Sequence, residues 1–121
     1  KNPKVPTTIW AVALDENGLG VHGDWFPLIA NDLDWEEDLV EGPWFVRRGD
    51  YYYLFYSASN YCTDRYAVGV ARSTNPLGPY EKKGEAIKTS DENFVGTGHC
   101  SVVLREDGAH VMIYHAWLAD Q

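Results

Sequence analysis

Two short stretches carry side chains suited to chemistry. In Val40-Glu41-Gly42-Pro43 a carboxylate precedes an apolar run. Gly42 lets backbone approach closely and Pro43 fixes the start of the strand, which together suit a carboxylate held rigidly at a cavity mouth. In Gly98-His99-Cys100 an imidazole stands among small residues. Read alone, each has a plainer meaning. A glutamate before a strand is ordinarily exposed, and a lone histidine is ordinarily a satisfied structural residue. His22, His110 and His115 lack even this context. Trp44, Tyr61 and Tyr66 are aromatic rings able to meet a sugar, with core packing the expected role of Trp44 and Tyr66. Asp15, Asp24, Asp32, Asp34 and Asp38 fall in turns and in an acidic stretch, where solvated surface charge is expected.

These residues depend on a β-rich scaffold. The apolar pattern has a period of two almost throughout. Thr8 to Leu14 predicts a strand, Asn17-Gly18 a type I′ hairpin turn, and Trp25 to Ala30 a short return strand. The stretch from Asn31 to Leu39 predicts a loop with one helical turn. Pro43 to Val46 and Tyr51 to Ser57 then form a hairpin about Gly49. Tyr66 to Ser73 forms a third strand, and a weak fourth ends near Ile87. Ser101 to Leu104 and Val111 to Trp117 repeat the hairpin about Gly108. Recurrence of strand–turn–strand units predicts an all-β fold, a partial β-propeller of antiparallel meander blades. At the usual repeat length the chain, residues 1–121 read as one domain, holds about two and a half blades. Truncation, a segment absent from this sequence, or closure of the ring by identical copies in a homodimer or other homo-oligomer would each account for a partial array.

In such a meander, the start of one inner strand and the loop between the next two strands lie at one end of the blade. Glu41, Tyr61, Cys62 and His99 are therefore expected at one mouth. Cys62 and Cys100 leave a disulfide open, if their Cα atoms come within about 7 Å.

Bulk properties narrow the partners. The 121 residues carry a formal net charge of −8, which argues against nucleic acid and against an anionic membrane surface. A neutral polysaccharide fits. Aromatic residues make up 14% of the chain, enough for a β-rich core or a sugar-binding face. Two cysteines form neither a disulfide scaffold nor a zinc pattern, and no apolar run is long enough to cross a bilayer. No apolar leader follows Lys1-Asn2-Pro3, and a secreted or a cytoplasmic bacterial location stays open.

Taken in order, Val40-Glu41-Gly42-Pro43, the Tyr51–Ser57 strand, Tyr66-Ala67-Val68-Gly69-Val70-Ala71, Gly78-Pro79-Tyr80 and Gly96-Thr97-Gly98-His99-Cys100-Ser101 resemble glycoside hydrolase family 43, which contains α-L-arabinofuranosidases, β-xylosidases and arabinanases. The resemblance implies a five-bladed propeller with the active site on its axis. It implies an inverting hydrolysis of α-L-arabinofuranosyl or β-xylosyl linkages in arabinan, arabinoxylan or related oligosaccharides. Glu41 matches the family's general acid. The general-base and pKa-tuning aspartates belong to segments that this sequence does not contain. His99 and Tyr61 are expected at the substrate. No cofactor is required, and His99 is expected to help hold an axial calcium ion through water. An acid and a base roughly 6.5–9.5 Å apart are needed for inversion, and Glu41 supplies one of them. The competing expectation is a non-catalytic carbohydrate-binding or structural half-propeller that lacks the base.

Overall fold

The computed structural model describes residues 6–121. Among them are eight strands in three antiparallel sheets: β1 (Thr8–Leu14) with β2 (Val21–Ala30); β3 (Val40–Arg48), β4 (Tyr51–Ala58), β5 (Ala67–Ser73) and β6 (Glu81–Lys82) in sequential order; and β7 (Phe94–Leu104) with β8 (His110–Leu118). The middle sheet is a complete four-stranded meander blade, and two strands represent the blade on each side. One 3₁₀ turn, Asp34–Glu36, interrupts the acidic stretch, as the sequence predicts.

The alternation of β4 explains the packing. Leu54, Tyr56 and Ala58, spaced by two, are at most 1% exposed. They meet Ile9, Ile29, Val40 and Ala71 in the core between the first and middle blades. Burying a side chain of the size of Leu54 stabilises by about 1.5–3 kcal/mol. The opposite face of the middle blade packs on β7, which touches β3, β4 and β5.

Several boundaries differ from the sequence reading. β2 begins at Val21 rather than Trp25. The first hairpin is not type I′, because Gly18, with φ 71°, takes positive φ without Asn17. The Asn17 side chain instead accepts the Leu19 N–H, and Asp15 donates to the Gly20 carbonyl to close a longer loop. The Gly49-Asp50 turn is tight, with positive φ at its first residue only. Most consequential, β3 and β7 start earlier than predicted. Glu41 and His99 therefore lie inside strands, each at a break in pairing register. Cys62 is exposed, Cys100 is buried, and both thiols are free, so the disulfide left open by the sequence does not form.

Candidate active site

Strand register assembles the site. Glu41 pairs with Ser57 across β3 and β4, and Ser57 pairs with Val68 across β4 and β5. Residues opposite one another in a sheet share a face, and Tyr66 lies two positions before Val68. This face meets β7, where Gly98 stands opposite His115 of β8.

The result is a connected polar cluster. The Tyr66 hydroxyl donates to Glu41 Oε1 at 2.7 Å. Ser57 lies close to the Tyr66 phenol. Ser57 Oγ in turn accepts the backbone N–H of His99 at 2.6 Å. Tyr66 is 1% exposed and Ser57 fully buried. The Tyr66 ring stacks on His115, with centroids 6.3 Å apart, and His115 stacks on His99 at 6.1 Å. Burial, then the hydrogen bond to Glu41, push the Tyr66 phenol well above its ordinary range. It therefore stays protonated and acts as a standing donor to the carboxylate.

Backbone geometry creates the room. Gly42 has φ 58°, and a Cβ there would stand 3.5 Å from the His99 ring. His99 itself has φ 53°, in the left-handed region that side chains seldom occupy. Its N–H bond to Ser57 is one contact that holds this conformation. At Gly98 a Cβ would fall 2.0 Å from Tyr66 Cε1, so the tyrosine ring lies directly against the glycine backbone.

Of the residues singled out by sequence, Glu41 and His99 do come together. Tyr61 is 58% exposed in the β4–β5 loop, and among the described residues no hydrogen bond or ring contact joins it to either. Cys62 is likewise exposed in that loop. Trp44, expected in the core, is 41% exposed and donates its indole N–H to the Val102 carbonyl, tying β3 to β7. The sequence points to packing for Tyr66 and a plain strand position for His115, yet together they link Glu41 to His99. The one available signal was Gly98, since glycine inside a strand often marks close backbone approach. The five aspartates read as surface charge are all exposed.

A calcium ion takes six to eight oxygen ligands. Among the described residues no group of three or more His, Cys, Asp or Glu side chains could hold a metal, and His99 offers only nitrogen. Among the described residues there is no direct calcium cage, and the His99 ring could meet such an ion only through a bound water.

Comparisons with known proteins agree with this architecture. A β-D-galactofuranosidase of Aspergillus niger is 28% identical over 105 residues, covering 86% of this chain and 29% of the relative. An extracellular exo-α-(1→5)-L-arabinofuranosidase of Cellvibrio japonicus is 34% identical, covering 66% of this chain and 26% of the relative. The chain thus spans less than a third of the length of these curated relatives. A crystal structure of an endo-1,4-β-xylanase from Bacteroides thetaiotaomicron superposes with a TM-score of 0.87 at 30% identity, covering 94% of this chain and 42% of that one. An α-L-arabinanase of Cellvibrio cellulosa, solved with arabinohexaose, gives a TM-score of 0.70 at 27% identity, covering 88% of this chain and 40% of that one. The family model for glycosyl hydrolases family 43 matches residues 1–120, and with nearly every residue inside that match, the chain belongs to family 43.

Proposed function

We propose that this chain supplies the general-acid part of an inverting glycosidase that hydrolyses arabinofuranosyl or β-xylosyl linkages in pentose-containing plant polysaccharides. Glu41 is the acid. The observation that carries the reading is its carboxylate at the β3 bulge, fixed by a buried phenol and flanked by the His99–His115 stack. Such a carboxyl can hold a proton at a set place and deliver it to a departing sugar oxygen. The names of the arabinofuranosidase and xylanase relatives support the substrate class.

Inversion also needs a base that activates water on the opposite face of the sugar. A second carboxylate beside the acid is one means of keeping its proton near neutral pH. Both come from the rest of the ring or from a second copy of this chain. Exposed Trp10 and Trp25 on one flank, and Ile113 and Trp117 on the other, are suitable surfaces for further blades. Light scattering separates the two sources, since a monomeric active protein removes the second copy. His99, exposed at the cluster, and Tyr61, an exposed ring on the adjoining loop, are the residues assigned to substrate contact.

The test is hydrolysis of aryl arabinofuranosides, xylosides and galactofuranosides by the full-length protein, with proton NMR of the first-formed sugar. Turnover of a pentoside with inverted anomeric configuration is expected. Turnover of the galactofuranoside alone would replace the pentose assignment. Polysaccharide binding without turnover would favour the non-catalytic reading.

A further inference from the structure

We propose that Tyr66 is a positioning residue that decides which oxygen of Glu41 carries the transferable proton. This rests on Glu41 being the acid. The Tyr66 hydroxyl donates to Oε1, and among the described residues no hydrogen bond occupies Oε2. An oxygen already accepting from a donor that stays protonated is a poor place for a second proton. The acid proton therefore sits on Oε2, the oxygen left to meet the substrate.

The seat of Tyr66 is built to keep this choice. Gly98 presents bare backbone to the ring, His115 stacks on it, and the whole side chain is 1% exposed. Ser57 is itself bonded to the His99 N–H. The Tyr66–Glu41 and Ser57–His99 bonds thus lie side by side where the middle blade meets β7. The phenol cannot turn away without leaving its own buried hydroxyl unpaired.

The same bond helps the reaction. The proton passes from Oε2 to the glycosidic oxygen as the bond from that oxygen to the anomeric carbon breaks. The electron pair of that bond stays on the departing oxygen, and Glu41 is left as a carboxylate. The Tyr66 bond thereby changes from a neutral to a charge-assisted one, about twice as strong. Interactions that strengthen in the transition state raise kcat rather than lower KM.

The experiment is Tyr66→Phe in the full-length protein, with Glu41→Gln alongside, on two aryl glycosides of the same sugar. The phenyl leaving group needs protonation; the dinitrophenyl group does not. Tyr66→Phe is expected to lower kcat about tenfold on the phenyl glycoside, with KM nearly unchanged and little effect on the dinitrophenyl glycoside. The ratio of the two kcat values is independent of the folded fraction, so partial misfolding does not obscure the result. An unchanged ratio in Tyr66→Phe, with a collapsed ratio in Glu41→Gln, overturns the role of Tyr66 alone. An unchanged ratio in Glu41→Gln, or no turnover by the parent protein, removes the acid assignment and this inference with it.

Discussion

The largest single-residue effect on stability is expected at Glu36, a residue outside the Glu41 cluster. Glu36 is fully buried in the 3₁₀ turn. Its Oε2 accepts the backbone N–H groups of Asp32 and Leu33 at 2.9 and 3.0 Å, and the Lys82 ammonium at 2.8 Å. Its Oε1 accepts the Tyr56 hydroxyl at 2.7 Å. Burial, then this bond to Glu36, push the Tyr56 phenol well above its ordinary range. Glu36→Ala takes this partner from the Asp32 and Leu33 N–H groups and the Tyr56 hydroxyl, and removes one of the two carboxylates that meet Lys82. The Lys82 side chain, 11% exposed, keeps only the Ala30 carbonyl and the largely exposed Asp32. Removing one partner of a buried ion pair costs about 3–5 kcal/mol, a large share of the usual total of about 5–15 kcal/mol. Thermal unfolding followed by circular dichroism should show Tm lowered by about 10–20 °C. Lys82→Met should restore part of that loss in the double variant, because it removes a half-buried charge left with one exposed carboxylate partner. A Glu36→Ala variant within about 1 kcal/mol of the parent, the size of an ordinary surface change, would refute the reasoning.

Three further outcomes follow from local geometry. Gly98→Ala places a methyl group inside the Tyr66 ring and should destabilise by about 1–3 kcal/mol through overpacking, with loss of activity beyond the loss of folded protein; denaturant unfolding and kcat on a phenyl glycoside measure the two. Asp91 is held near a pKa of about 2, chiefly by its bond to Lys88 and then by the N–H groups of Asn93 and Phe94. Its folded value lies below its unfolded one, so its contribution is present above about pH 4 and lost as pH falls through about 2; Asp91→Asn should flatten that part of a Tm-against-pH curve. Cys62 is exposed, whereas burial shields Cys100 and raises its pKa, so mass spectrometry after brief iodoacetamide treatment of the native protein should find Cys62 labelled and Cys100 not.

The hairpins were legible because β4 and β8 are runs of strand-favouring aromatic and β-branched residues, and Gly49 and Gly108 mark their turns. The starts of β3 and β7 were not, for a shared reason. Both carry glycines at breaks in register, at Gly42 and at Gly96 and Gly98, and a bulge interrupts the period-two pattern by which a strand is read. These interruptions are also where Glu41 and His99 sit. Short motifs therefore marked the candidate positions while hiding that they lie within strands. Tyr66 opens a motif and His115 lies in a plain strand, but neither carries a local sign of its link to Glu41, which comes from register between strands distant in sequence. Glu36 was hidden in the same way. Its main partners, Tyr56 and Lys82, are 20 and 46 residues away, so an acidic run gave no local sign that one member is buried.

The central claim is that Glu41 donates the proton to the departing oxygen. The direct test is the dependence of kcat on leaving-group acidity, over a series of aryl glycosides, for the parent protein and Glu41→Gln. The account predicts a nearly flat line for the parent, and for the variant a steep fall in rate as the leaving group becomes less acidic, with near-parental rates for the most acidic ones. Parallel lines for the two proteins would contradict it.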